Sequence, residues 1–334
     1  MNTIIFTSIA LAVASTTSFA NGGSWLELDQ DIASLSSTIN MEGGAEAGGL
    51  LRSSYRDGGT VGNFGFEDVN VHVSGSLEEF SWRISADLVG GNMTLDDANV
   101  SWNQSENLSI TWGQQKLPMF RSSSMDQESM LFIDRSLIGA AHDIYDMGVS
   151  VSGTNSGLDW TLAAVNGSVT DELIMFAHVD YAIGNGACGC CEGSLHAGDG
   201  MDGTLGISYS DEQDDSIDAI VGIDLAMTMG QFSLAAELED QGDTGDSPSA
   251  FAVGYLFADN MEAAFRHEDR DDAGDNGRDT FGLNYYMHGH NAKWAINYID
   301  DDLAADEVIA IGLTVGASRR SEERRVGKEC RSRW

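Results

Sequence analysis

Apolar and polar residues alternate along most of the chain between residues 47 and 317. In one stretch, Phe80, Trp82 and Ile84 alternate with Ser81 and Arg83. A period of two is typical of β-strands that have one apolar face and one polar face. We count sixteen such segments, near residues 47–56, 66–75, 80–89, 93–103, 107–115, 146–153, 157–166, 172–183, 202–210, 217–229, 231–240, 249–257, 260–268, 279–288, 291–300 and 306–317. The pattern therefore predicts an all-β protein.

The links between these segments fall into two classes. Links that follow even-numbered segments are mostly short, such as Gly230 or Gly289-His290. Links that follow odd-numbered segments include the longer acidic stretches at residues 211–216, 241–248, 269–278 and 301–305. Short turns at one end and longer loops at the other are typical of a transmembrane antiparallel β-barrel. A soluble β-sandwich would alternate equally well, but it has no reason to sort its loops in this way. We therefore expect a barrel of about sixteen strands.

The link at residues 116–145 differs from the other long loops because it is rich in apolar residues. Exposure of so many apolar side chains on one loop would be unfavourable. They are Met119, Phe120, Met130, Leu131, Phe132 and Leu137. We expect this third outer loop to fold into the barrel.

The link at residues 184–200 is long although it belongs to the class of short turns. It contains Cys188, Cys190, Cys191 and His196, which could bind a soft metal ion. Their spacing fits neither a zinc ribbon nor a zinc finger. Thiols in an oxidising compartment more often form a disulfide, here one bridge and one free thiol. We assign no metal site.

Both ends of the chain are expected to lie outside the barrel. Residues 4–14 are apolar and precede Ser18-Phe19-Ala20, which predicts a signal peptide over residues 1–20. Residues 21–45 are interpreted as a periplasmic leader and residues 46–319 as the barrel. Residues 320–334 resemble the conceptual translation of a sequencing adapter and are interpreted as a non-native tail. On this interpretation the barrel is incomplete, and the native chain continues beyond Arg319 to an aromatic terminus.

The composition excludes several functions. The chain has 53 Asp and Glu against 17 Lys and Arg, a net charge of −36. This balance argues against nucleic-acid binding, which needs clustered basic residues. No Ser-His-Asp, His-Glu-x-x-His, phosphate-loop or Asp-x-Asp-x-Asp-Gly pattern is present in the sequence. We therefore expect neither an enzyme nor a cofactor.

Three short motifs resemble the phosphate-selective porin O and P family. They are DANVSW at residues 97–102, GQQKLP at residues 113–118 and MLFIDRSL at residues 130–137, followed by Gly148-Val149 and Asn166-Gly167. One departure is that relatives often carry Arg shortly before the Gly-Val, where this chain has His142, Asp143 and Asp146. The resemblance implies a sixteen-stranded, trimeric outer-membrane channel in contact with lipid and lipopolysaccharide.

Selectivity for phosphate needs a path lined by Arg and Lys, because carboxylates repel the anion. Alternation places three basic side chains inward, and the predicted inward loop adds bases and acids together. The nine candidate pore-lining residues are Arg83, Lys116, Arg121, Asp126, Glu128, Asp134, Arg135, Arg266 and Lys293. Because acids accompany the bases, we interpret the chain as a porin for passive diffusion of ions and small hydrophilic solutes, phosphate or other anions among them.

Two alternatives of other classes remain open at this point. One is a secreted acidic surface protein with a structural or Ca²⁺-binding role. It predicts release from cells by chelator or salt, whereas a barrel in a membrane needs detergent. The other is an outer-membrane barrel enzyme such as a lipase, which would need a Ser/His pair at one rim.

Overall fold

The computed structural model describes residues 45–59, 62–91, 93–167, 172–185, 191–198, 200–212, 219–242, 245–274 and 276–316. The predicted signal peptide, the predicted leader up to residue 44 and the predicted tail lie outside the described residues. So do Cys188 and Cys190.

Sixteen antiparallel strands, each hydrogen-bonded to the next in the chain, form a closed barrel. The strands are β1 (Glu46–Asp57), β2 (Asn63–Leu77), β3 (Phe80–Asp87), β4 (Thr94–Ser105), β5 (Leu108–Lys116), β6 (Tyr145–Asn155), β7 (Leu158–Asn166), β8 (Leu173–Ile183), β9 (Met201–Glu212), β10 (Ile220–Met229), β11 (Phe232–Asp240), β12 (Ser249–Ala258), β13 (Met261–Asp269), β14 (Gly277–Tyr286), β15 (Ala292–Asp301) and β16 (Val308–Gly316). The predicted fold class is confirmed, and each alternating segment corresponds to one strand.

The barrel closes by pairing its last strand with its first. The β1–β16 ladder runs from Leu50 opposite Gly316 to Asp57 opposite Ile309. Closure removes the open strand edges whose backbone groups would otherwise lack partners. The expectation of an incomplete barrel is therefore wrong, because a strand that ends at Gly316 already supplies the closing ladder.

The two faces of the barrel have the reverse polarity of a soluble protein. Trp112 and Trp294 lie on the outer face and are 67% and 44% exposed. Their neighbours Thr111 and Lys293 face the interior, as the alternation predicts: the Thr111 hydroxyl lies 2.7 Å from that of Ser101, and Lys293 is buried. Fully buried polar residues inside the barrel include Asp224, Glu262, Glu268, Asn284 and Asn297. The outer surface is thus apolar and the interior is polar.

Among the described residues, helical structure is confined to short segments. A 3-10 turn, Val89–Gly91, follows β3. Residues 117–144, here called the inserted loop, connect β5 to β6 and contain α1 (Arg121–Ser124), a 3-10 turn (Gln127–Ser129) and α2 (Leu137–Ala141). Within the described part of the chain, no helix is long and apolar enough to cross a membrane.

Candidate functional site: the interior of the barrel

The inserted loop lies inside the barrel and packs its apolar side chains on the wall. Leu117, Met119 and Phe120 are almost fully buried, in one cluster with Val165 of β7 and Phe176 of β8. Two smaller clusters hold the next part of the loop: Leu131 and Phe132 pack with Ala252 and Ala264, and Ile133 packs with Ala295 and Ala310. Burial of each large apolar side chain contributes about 1.5–3 kcal/mol. The sequence expectation that this loop folds inward agrees with its position.

Glycines on alternate strands make room for the loop. Each of β10, β12, β14 and β16 presents one glycine to a bulky loop residue, so that the loop approaches the wall closely. The contacts are Phe120 on Gly222, Leu131 on Gly254, Phe132 on Gly282 and Ile133 on Gly312. A Cβ atom at Gly222 would overlap the Phe120 ring, and one at Gly282 would lie 3.2 Å from the Phe132 ring.

Polar side chains of the wall bind the backbone of the loop between residues 130 and 134. Lys293 donates to the carbonyl of Met130, and Asn284 Nδ2 donates to that of Leu131 at 2.7 Å. The amide of Ile133 donates to Asn297 Oδ1 at 2.7 Å, and Arg266 Nη1 donates to the carbonyl of Asp134 at 3.0 Å. Buried backbone groups need such partners, so these contacts fix the path of the loop.

Glu268 of β13 joins two wall arginines to the loop. Its carboxylate accepts from Arg266 Nε at 3.0 Å, from Arg278 Nε at 2.7 Å and from the amide of Leu137 at 2.5 Å. Arg278 Nη2 also donates to the carbonyl of Arg135 at 3.1 Å. Glu268 is fully buried, so its charge is balanced entirely by these partners.

Two carboxylates of β11 hold the helical parts of the loop. Glu237 Oε1 accepts from the amide of Ser122 in α1 at 3.1 Å, and its Oε2 accepts from the hydroxyl of Ser136 at 3.0 Å. Ser136 also caps α2, because its hydroxyl oxygen accepts from the amide of Gly139 at 2.9 Å. Glu239 Oε2 lies 2.9 Å from His142 Nε2.

Asp134 forms a two-pronged ion pair between the loop and β1. Arg56 donates through both terminal nitrogens to its two carboxylate oxygens, at 2.9 and 2.6 Å, while Arg56 Nε donates to Glu67 at 2.9 Å. Burial by itself raises the pKa of Asp134, but the hydrogen bonds and charge of Arg56 outweigh it and hold the pKa below its usual value.

A second group of charges lies where the loop begins and ends. Asp143 pairs with Arg135 Nε at 2.8 Å and with Lys116 Nζ at 2.6 Å. Arg135 also donates to the carbonyl of Ser122 and, at 2.7 Å, to that of Met125. The charge of Arg135 therefore braces the loop from within.

The candidate residues fall into three groups. Lys116, Arg121, Asp126, Glu128, Asp134 and Arg135 belong to the loop or the strand end that precedes it. Arg266 and Lys293 lie under the loop and bind its carbonyls. Arg83 is separate, on β3, with its Nε 2.7 Å from Asp97 Oδ2. Every basic residue among the nine therefore contacts an acid or a backbone carbonyl.

Several of the side chains that anchor the loop were not predicted from the sequence. They are Arg56, Glu268, Arg278, Asn284 and Asn297. The signal available in the sequence was the alternation of each strand, which places these polar side chains on the inner face of the barrel. Alternation identifies the residues that line the interior, but it does not show which of them contact the loop.

The wall formed by β2, β3 and β4 is acidic. Asp68, Asp96 and Asp97 are buried on its inner side. Asn70 Nδ2 donates to Asp96 Oδ2 at 2.8 Å. The loop contacts described above involve β1, β5, β7, β8 and β10 to β16, and none of them is made by β2, β3 or β4.

No family model matches the chain, and no curated protein matches it. The narrower resemblance to the phosphate-selective family is thus without support from a family model. Solved structures do match. A loop-deletion mutant of OmpT, an outer membrane protein of Vibrio cholerae, superposes with a TM-score of 0.59 at 11% identity, over 82% of this chain and 99% of that one. A mutant of the porin of Rh. blastica gives 0.58 at 12% identity, over 82% and 100%. The chain therefore has the fold of sixteen-stranded porins.

Proposed function

We propose that the chain is an outer-membrane porin of a Gram-negative-type cell, through which ions and small hydrophilic solutes diffuse passively. The observation that carries this proposal is the inserted loop, which lies inside the barrel and is anchored to β1 and β10–β16. A polar interior narrowed by a loop is what a diffusion channel requires. The apolar outer face supports contact with lipid and lipopolysaccharide.

We further infer that the channel has no strong preference for anions. Lys116, Arg135 and Arg266 are paired with carboxylates, so they offer little charge to a passing anion. Lys293 is buried beneath the loop. Asp96 of the β2–β4 wall, which accepts from the neutral amide of Asn70, would repel the anion. Phosphate selectivity, which the resemblance to the phosphate-selective family implies, is the alternative. The homotrimer implied by the same resemblance remains a prediction that chemical cross-linking in detergent tests.

Planar-bilayer recording in asymmetric KCl tests the function. We expect stepwise ohmic conductance and a reversal potential that indicates equal permeability or a preference for K⁺. Asp96→Asn should lower the permeability ratio of K⁺ to Cl⁻ because it removes a wall charge. Asp259→Asn, in the exposed β12–β13 turn, should leave the ratio unchanged.

Two results would contradict the proposal. A large preference for Cl⁻ that phosphate blocks would support the phosphate-selective alternative. Absence of conductance, together with release of the protein from cells by chelator or salt, would support the secreted acidic protein.

A further inference from the structure

A second segment enters the barrel from the end opposite to the inserted loop. Residues 184–200 connect β8 to β9, and we call residues 191–198, which the structure describes, the inserted turn. Because the strands are antiparallel, this connection lies at the same end as the short turns after β2, β10 and β14. The inserted loop follows β5 and therefore starts at the other end.

The inserted turn binds the backbone of the inserted loop. The amide of Glu192 donates to the carbonyl of Ser129 at 3.0 Å, and Glu192 Oε2 accepts from the amide of Leu131 at 2.7 Å. Arg121 of the loop donates to the carbonyl of Cys191. Three hydrogen bonds thus join two segments that enter from opposite ends.

The same segment extends across the mouth of the barrel. The buried Ser194 donates from its amide to Glu262 Oε1 of β13 at 2.8 Å and from its hydroxyl to the carbonyl of Gln231 at 2.9 Å. The ring of His196 lies 5.4 Å from that of His290, in the turn between β14 and β15. A segment that starts between β8 and β9 and reaches the β14–β15 turn crosses the opening, because these hairpins are far apart around the sixteen-strand circumference.

We infer that the inserted turn is a second constriction element, which narrows the channel from the turn end and holds the inserted loop in place. This inference rests on the proposed function. Glu192 has the central role because it satisfies two backbone groups of the loop, Ser129 O and Leu131 N. Without its carboxylate the amide of Leu131 loses this partner in a buried position, which favours release of that part of the loop.

Two variants test the inference against a matched control. Deletion of residues 191–197 removes the segment that crosses the mouth. Glu192→Ala removes only the side-chain contact with Leu131. Glu106→Ala changes an exposed carboxylate in the β4–β5 turn, at the same end of the barrel, and serves as the control.

We expect the deletion to raise single-channel conductance about twofold, since pore width limits ion flow, and to admit larger neutral sugars in liposome swelling. Glu192→Ala should increase current noise and speed tryptic cleavage at Arg121 or Arg135 in detergent, whereas Glu106→Ala should match the wild type.

Unchanged conductance and sugar cut-off in the deletion variant would overturn the inference while leaving the proposed porin function intact. If the deletion prevents insertion, Glu192→Ala decides: cleavage and noise equal to those of the wild type refute the role of the turn. A wild type that does not conduct refutes the porin function instead, and the cleavage assay still tests the contact between turn and loop.

Discussion

Replacement of Glu268 should release part of the inserted loop without opening the barrel. Its carboxylate holds the amide of Leu137 and also orients Arg266 and Arg278, which bind the carbonyls of Asp134 and Arg135. Glu268→Ala therefore weakens three backbone contacts of the loop at once. The strand ladders that close the barrel do not depend on this side chain.

The size of the effect follows from burial of the group. Removing one partner of a buried ion pair costs about 3–5 kcal/mol, because the remaining charges stay buried without compensation. Each 1.4 kcal/mol changes an equilibrium roughly tenfold, so the ratio of released to docked loop should rise by about two to three and a half orders of magnitude. Glu268→Gln keeps an acceptor oxygen in place and should give a smaller change.

The assay is limited trypsin digestion of the purified protein in detergent, combined with bilayer recording. Cleavage of Glu268→Ala after Arg135 should be much faster than in the wild type, and its open-channel current should be noisier. Asp279→Ala is the matched control. It removes the hydrogen-bond partner of His267 in a half-exposed pair on the neighbouring strand, away from the loop. Cleavage of Glu268→Ala as slow as that of the control would refute the reasoning.

Three further predictions concern the wall, the register and pH. Gly222→Val should displace Phe120 from β10, where a Cβ atom would overlap its ring, and should lower the thermal stability of the protein measured by circular dichroism; Gly222→Ala should do so less. Trp112→Arg should lower the free energy of unfolding in lipid vesicles by about 2–4 kcal/mol if it lies near the midplane, whereas Thr111→Arg should cost less because that side chain faces inward. The lowered pKa of Asp134 means that its pair with Arg56 stabilises the loop fully above an ordinary carboxyl pKa of about 3.9, and that this contribution is lost as the pH falls through the lowered value. Current noise should therefore rise in acid in the wild type, and the rise should be smaller in Asp134→Asn. Unchanged melting of Gly222→Val would contradict the first prediction, and equal unfolding costs of Trp112→Arg and Thr111→Arg would contradict the second. Equal acid responses of the wild type and Asp134→Asn would contradict the third.

The barrel could be predicted because each strand is recognisable from a short stretch of sequence. The alternation of Trp82, Arg83 and Ile84 is visible in the sequence alone, and each strand pairs with the next one in the chain. The inward position of the loop also followed from its own apolar residues, such as Phe120. The expectation of an incomplete barrel failed because the sequence does not reveal how far the last strand reaches along the first.

The anchors of the loop were not predictable from one sequence. Leu137 and Glu268 are 131 residues apart, and Ile133 and Asn297 are 164 apart. Which lining residue meets which part of the loop depends on the closed circle of strands, and no local pattern encodes that. The contact of Glu192 with the loop was missed for the same reason, although the unusual length of its turn was visible.

The proposed function requires that the inserted loop narrow a conducting channel. Single-channel recording of the wild type beside a variant that lacks residues 119–134 tests it directly. We predict that both proteins insert and conduct, and that the variant has the larger conductance because its lumen is wider. Equal conductance of the two proteins would contradict the claim, since a loop that can be removed without effect does not limit the flow of ions.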